Sequence, residues 1–253
     1  MINDFIQGIK YALSGFSWIV KPSIRRFVYL PLLINTLFFS VAIWFVATAA
    51  NRWIAHWLGE KADWVWGTQW LYDWAYPVLS VLIYVTLALV TYFLFLSVAN
   101  VLAAPFNAWL AKSVEKQLTN QQASFLEMTL WQEIRITVQS ELFKLLRFLI
   151  VAMPLLLLLF IPVLNGLFPL LWLLFMSSIL ALQYIDYPMA NHGYFYATQR
   201  RVLKQNRWQG LGFGLAANVM LFIPVVNFLA MPVCVCGATV WWHDGLRDAA
   251  TKK

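Results

Sequence analysis

Charge is the scarcest commodity in this chain of 253 residues. Only 11% is Asp, Glu, Lys or Arg, where a soluble domain carries roughly 25%. Four tracts, residues 27–51, 74–111, 148–185 and 208–242, contain no Asp, Glu, Lys, Arg or His at all. With 62% hydrophobic residues, that scarcity excludes a water-soluble domain and implies an integral membrane protein. It also argues against a proton relay inside the membrane, which needs ionisable side chains at depth. Cysteine is equally rare. Cys234 and Cys236 are two apart in an apolar tract, too close to bridge readily and without a ligand set, so small buried residues are the expectation. No nucleophile–base pair, metal-ligand spacing or phosphate loop stands out, so neither an enzyme nor a metal or cofactor is expected. The first apolar run is too long for a signal-peptide h-region and has no small-residue cleavage site, so no cleavable leader is expected. The net charge of +7 does not imply nucleic-acid binding, because the basic residues sit between apolar tracts, where lipid headgroups account for them.

What the chain does have is a pair of arginines where its first apolar tract begins: Lys21-Pro22-Ser23-Ile24-Arg25-Arg26. Pro22 suits a helix start, Ser23 is the expected N-cap, and free N–H groups at Ile24, Arg25 and Arg26 would point out of the positive helix end. Two guanidinium groups on such a turn suit an anion. They equally suit lipid phosphate as positive-inside anchors.

Ahead of this turn, Ile2, Phe5, Ile6, Ile9, Leu13 and Phe16 recur at helical spacing, predicting an amphipathic helix on the membrane surface over 1–20, broken between Gly15 and Pro22. The first span is expected over 23–51. Residues 52–73, with Trp53, Trp57, Trp64, Trp66 and Trp70, read as an aromatic interface. The second span is expected over 74–111, opened by Pro77 and bent or ended at Pro105. Residues 112–147 look like cytoplasmic or interfacial helices. Thr129-Leu130-Trp131-Gln132 has capping-box form, followed by an apolar stripe of Trp131, Ile134, Val138, Leu142 and Leu145. The Glu and Lys residues here are expected on a solvated face.

The last two uncharged tracts, 148–185 and 208–242, repeat each other: Phe160-Ile161-Pro162-Val163-Leu164-Asn165 matches Phe222-Ile223-Pro224-Val225-Val226-Asn227. The prolines fall near mid-tract, predicting two Pro-broken helical hairpins. Their arms look short for a core of about 30 Å, so half-penetrating hairpins lining a transport site are expected; two ordinary helix pairs with proline kinks are nearly as well supported. Sixteen Lys and Arg fall on one side of this layout and two, in residues 52–73, on the other. That bias places both termini in the cytoplasm.

Together, Lys21-Pro22-Ser23-Ile24-Arg25-Arg26-Phe27, Ala104-Pro105-Phe106-Asn107, Asp186-Tyr187-Pro188-Met189-Ala190-Asn191-His192 and Met231 to Thr239 resemble the CysZ family of bacterial sulfate permeases. The resemblance covers nearly the whole chain. It implies an all-α fold of two long transmembrane helices and two half-penetrating hairpins, a homo-oligomer of dimers or larger, and uptake of sulfate across the inner membrane for cysteine synthesis. It also implies a sulfate site at a Gly-Leu/Ile-Arg-Arg turn, which falls on Ser23, Ile24, Arg25 and Arg26, with Ser23 departing from the usual glycine. Family members resemble dual-topology proteins that pair antiparallel; the sixteen-to-two charge bias runs against that.

Sulfate has no proton to donate, so its ideal site contains donors only, and no Asp, Glu or His lies between Lys21 and Asn51. The uncharged tracts favour a channel-like path lined by Asn35, Asn100, Asn107, Asn165, Asn227 and hydroxyls. Proton coupling would need the groups at the tract edges, Asp186 with His192, and also Glu141 or His243; a structural cap is the commoner role for such a pair. The alternatives are a membrane scaffold holding anionic lipid through Arg25 and Arg26, or a transporter of another oxyanion; an interfacial lipid enzyme, the different-class alternative, would need an acid or His brought to Arg25 by folding.

Overall fold

The computed structural model describes residues 1–58, 69–120, 123–126 and 129–251. Among these it is helical, with no strand: α1 (Ile2–Ile19), α2 (Pro22–Leu58), α3 (Gln69–Leu118), α4 (Leu130–Leu157), α5 (Phe168–Ala190), α6 (Tyr196–Gln205), α7 (Arg207–Phe222), α8 (Pro224–Trp241) and α9 (Arg247–Thr251). Five stretches are long and apolar enough to cross a membrane: Pro22–Ala49, Tyr76–Phe93, Val138–Phe160, Leu164–Ala190 and Pro224–Thr251. Residues 59–68 of the tryptophan-rich stretch 52–73 lie outside the described residues, as do the side chains of Asn35, Asn100 and Ile134.

The chain divides into two compact units, Met1–Val28 with Phe106–Lys253, and Tyr29–Pro105. The second holds the long apolar parts of α2 and α3. Leu33, Leu37, Trp44 and Phe45 on α2, and Val78, Val81 and Leu82 on α3, are exposed, as lipid-facing side chains are in a protein viewed without its bilayer. Pro31, Pro77 and Pro105 all lie inside helices rather than at their ends. Pro77 therefore does not open α3, and Pro105 does not end it. A proline removes one N–H, and in an apolar medium the neighbouring backbone has no water to turn to, so the helix persists around it.

The first unit is organised by α1, which lies against α7 and α8. Its contact face is a stripe of small residues, Gly8, Ala12 and Gly15, all buried. A Cβ on Gly8 would strike the Gln209 carbonyl, and one on Gly15 the Val233 carbonyl. From the other side, a Cβ on Gly212 would strike the Phe5 carbonyl, and one on Gly237 the Tyr11 carbonyl. Backbones meet this closely only where neither helix carries a side chain. The apolar residues read as a membrane-facing stripe behave differently: Ile2, Ile6 and Leu13 are exposed. Gly15 does not break the helix, which runs on to Ile19, because its missing side chain is filled by the backbone of α8. Gln7, Gln209 and Trp241 tie the ends together, with Gln209 Nε2 donating to Gln7 Oε1 (3.1 Å) and Trp241 Nε1 to Gln209 Oε1 (3.0 Å).

The internal repeat is visible in the backbone. Ile161 (φ −99°, ψ 113°) and Ile223 (φ −92°, ψ 110°) adopt the same extended conformation before their prolines, as a residue preceding proline should. In both copies the Ile N–H donates back three residues, to Leu158 (3.2 Å) and Met220 (3.3 Å). In both, the Asn N–H donates back to the Ile carbonyl, at 3.1 Å for Asn165 and 2.8 Å for Asn227. The copies part at the next residue. Val225 enters α8 at once, whereas Val163 has φ +72° and leads into a short 3-10 stretch, Leu164–Leu167, before α5. The α7 helix, at 16 residues, measures about 24 Å, shorter than a hydrocarbon core, whereas α8 continues into the spanning-length stretch Pro224–Thr251.

The capping box at Thr129 forms, its N–H donating to Gln132 Oε1 at 3.2 Å, and Trp131, Val138, Leu142 and Leu145 of the stripe behind it are exposed. Cys234 and Cys236 are buried free thiols in α8.

Gly212→Val should force the α1 and α7 backbones apart and cost at least about 1–3 kcal/mol, the usual range for overpacking. Gly166→Ala, where a Cβ meets open space, should change stability by less than about 0.5 kcal/mol. Thermal unfolding in detergent compares them; equal midpoints would contradict this packing.

Candidate functional site

The turn between α1 and α2 is short and tightly bonded. Lys21 N–H donates to the Trp18 carbonyl at 3.1 Å, and the Lys21 carbonyl accepts from Ile24 N–H (2.9 Å) and Arg25 N–H (3.0 Å). Lys21, not Ser23, is therefore the residue that caps α2, with Pro22 in the first helical position, where its missing N–H is no loss. The expected free amides at Ile24 and Arg25 are engaged. Among the first-turn amides, Ser23 N–H is the one left without a backbone acceptor. The Ser23 hydroxyl accepts a bond of 2.7 Å from Gln117 Nε2.

Side chains divide cleanly around this turn. Ile24 is fully buried and Val28, one turn on, nearly so; Ile24 belongs to the core with Leu110, Ala111 and Val114. That apolar pair clamps the helix start. Ile24 thus anchors the turn, and neither its side chain nor its amide faces a ligand. Arg25 and Arg26 project on the exposed side. No carboxylate pairs with either among the described residues. The Arg26 guanidinium lies 4.8 Å from the Phe27 ring centroid, and Lys21 Nζ sits 3.1 Å from that of Trp18. The first turn is thus an unpaired concentration of positive charge at a helix N-terminus, with donors and no acceptor side chain beyond the Ser23 hydroxyl.

Two inward-facing acids of this unit, Glu115 and Asp186, have partners away from this turn. Glu115, on α3, is completely buried, and His192 Nε2 donates to its two oxygens at 2.8 and 2.9 Å. The imidazole is held between the rings of Phe125 and Trp242, each 5.5 Å away. His192 reaches Glu115 because α5 ends at Ala190 and Gly193, at φ +78°, turns the chain; Asn191 Nδ2 fixes that turn to the Ala108 carbonyl at 3.2 Å. Asp186 has different partners: Lys144 Nζ at 2.8 Å and Gln199 Nε2, with Lys144 also 2.7 Å from Glu141. Asp186 and His192 are therefore not a pair. Two charges expected on a solvated face are also drawn inward: Glu115 is fully buried and Lys144 is 15% exposed. Each lies beside an opposite or hydrogen-bonding partner, without which burial would be prohibitive.

Asn107 is buried and its Nδ2 donates to Met231 Sδ at 3.5 Å. Asn165 and Asn227 are exposed at the two Pro-Asn tips. These three do not line one passage, and Asn35 and Asn100 fall outside the described side chains. His243 bonds its neighbour Asp244 at 2.7 Å. Sequence reasoning passed over Glu115, Lys144 and Gln199. The signal for Glu115 was present: it sits on the stripe Ala111, Glu115, Leu118, a lone acid on an otherwise apolar helix face.

Residues 11–232 match the family model described as Sulfate transporter CysZ/Etoposide-induced protein 2.4. The chain belongs to this family. Among its relatives, a protein of Pectobacterium atrosepticum named sulfate transporter CysZ is 37% identical over 96% of this chain and 86% of its own. One of the same name from Vibrio parahaemolyticus is 38% identical over 95% of each, and one from Salmonella typhimurium 36% identical over 95% and 93%. With five apolar helices of spanning length, the chain is an all-α, multi-pass protein of the bacterial inner membrane.

Glu115→Ala should strip His192 of its acceptor inside the core and cost about 1–3 kcal/mol, whereas Glu115→Gln retains an acceptor oxygen and should cost clearly less. Unfolding midpoints of the two variants test this. Identical losses, or none, would mean that the pair does not support the fold.

Proposed function

We propose that this protein carries sulfate across the inner membrane and that the N-terminal turn of α2 receives the anion through Arg25 and Arg26, with Ser23 N–H as a backbone donor. The observation that carries this is the pair of exposed guanidinium groups with no carboxylate partner among the described residues, on a turn clamped by buried Ile24 and Val28. The relatives' name, sulfate transporter, supplies the substrate class. Sulfate needs donors alone. Hydrogen phosphate brings a proton that wants an acceptor, so the turn favours sulfate.

In this proposal both termini are cytoplasmic, following the sixteen-to-two distribution of Lys and Arg. The hairpin of α7 and α8 enters the bilayer without crossing it, since the α7 arm of about 24 Å falls short of a core near 30 Å. Passage is channel-like, because the four tracts carry no ionisable side chain. Glu115 and Asp186 are each engaged with local partners and brace the first unit rather than relay protons. The chain works as a homo-oligomer in contact with membrane lipid, and the sulfate it admits feeds cysteine synthesis, as the family resemblance implies. The competing role, a scaffold that grips lipid phosphate through the same arginines, would need charge but not guanidinium geometry.

Calorimetric titration of sulfate into the purified protein separates these. Arg25→Lys and Arg26→Lys should each weaken sulfate by about tenfold or more, because lysine keeps the charge and loses the planar fork. Phosphate should bind more weakly than sulfate. Unchanged affinity in both lysine variants would favour the lipid-anchoring role.

A further inference from the structure

A second basic site lies away from the α2 turn. Where α6 joins α5 to α7, a cavity of about 340 Å³ is lined by Arg147 of α4, Arg200 and Lys204 of α6, and Arg207 at the start of α7. A neighbouring cavity of about 320 Å³ shares Arg147 and Arg200. Among the described residues, no carboxylate lines either. Arg147 Nη1 is buried and makes no hydrogen bond. A buried guanidinium N–H without an acceptor is costly, and four cations facing one space repel one another unless an anion joins them.

The remaining walls are apolar. Ile179, Leu182 and Leu203 line the first cavity, and Leu146, Ile150 and Val151 the second. Leu146, Ile150 and Val151 come from the apolar stretch Val138–Phe160, and Ile179 and Leu182 from Leu164–Ala190, both long enough to span a membrane. Three of the four basic groups come from the polar helix α6 and from the end of α7 that adjoins it, and Arg147 comes from α4. A phosphate at the arginines with acyl chains along α4 and α5 matches this division between polar and apolar walls.

We infer that Arg147, Arg200, Lys204 and Arg207 form a binding site for a tetrahedral oxyanion, occupied by the phosphate of an anionic phospholipid. Arg147 supplies the buried fork, and the three exposed side chains of α6 and α7 close over the headgroup. This does not depend on the role given to Arg25 and Arg26. It uses different residues on different helices.

The test is binding of short-chain phosphatidylglycerol to the purified full-length protein in detergent, beside short-chain phosphatidylcholine and inorganic sulfate. Wild type should bind phosphatidylglycerol saturably and in preference to phosphatidylcholine. Arg200→Gln/Lys204→Gln removes exposed groups only and should unfold at the wild-type temperature. It should bind phosphatidylglycerol at least about tenfold more weakly, as expected when two charge-assisted contacts are lost. Arg147→Lys should also weaken it, since the ammonium cannot reproduce the fork, and Arg25→Gln/Arg26→Gln should not. If inorganic sulfate displaces phosphatidylglycerol at low concentration and depends on the same residues, the oxyanion site stands and its lipid occupant is overturned. If Arg200→Gln/Lys204→Gln binds phosphatidylglycerol as wild type does, the site itself is overturned.

Discussion

The rest of the first unit depends on a close approach of backbones. α1 touches α7 and α8 through Gly8, Gly15, Gly212 and Gly237, positions at which a single Cβ would strike a carbonyl. Glycine weakens an isolated helix by about 1 kcal/mol relative to alanine. The offsetting gain is dispersion contact along whole helix faces, which matters most where lipid removes the hydrophobic reason for helices to associate. Because α1 is fixed, its end at Ile19 is fixed, and the bonds from Lys21 N–H to Trp18 and from Ile24 and Arg25 N–H to Lys21 leave little freedom before α2 begins. Arg25 and Arg26 are thus presented by packed glycines some distance away in the sequence.

Polar groups in this unit follow a division of labour set by desolvation. The acids drawn inward are matched: Glu115 by His192, and Asp186 by Lys144 and Gln199. Each network joins elements far apart in the chain, α3 to the loop after α5 in one case and α4 with α6 to α5 in the other. Such networks specify an arrangement as much as they stabilise it, because a partner left alone in the interior is expensive. Among the described residues, Arg25 and Arg26 on the α2 turn and the cluster around Arg147 have no carboxylate partner. Such unpaired donors suit the anions proposed for these two places.

Much of this was legible in the residues. The uncharged tracts announced membrane helices, and Phe-Ile-Pro-Val-Leu/Val-Asn announced a repeated break whose backbone geometry recurs at Ile161 and Ile223. The capping box at Thr129 was legible because it is a local interaction within one turn. Local rules also misled where tertiary contacts decide. Ser23 has the chemistry of an N-cap, yet the helix starts two residues earlier than that cap implies and its hydroxyl is claimed by Gln117, 94 residues away. Gly15 looked like a breaker because its neighbour on α8 cannot be seen from one helix. Asp186 and His192 looked like a pair because they are six residues apart, but they answer to partners on α4 and α3. Val163 departs from its repeat mate Val225 although the residue is the same; within the motif the two copies differ only in Leu164 against Val226.

The central claim is that Arg25 and Arg26 admit sulfate to a passage through this protein. Radiolabelled sulfate uptake into liposomes containing the purified chain tests it most directly, with wild type beside Arg25→Ala/Arg26→Ala, each checked for folding by its unfolding transition. The account predicts saturable uptake by wild type and its loss in the folded double variant. Equal uptake by both would contradict it, leaving transport intact and returning the two arginines to the membrane surface as lipid anchors.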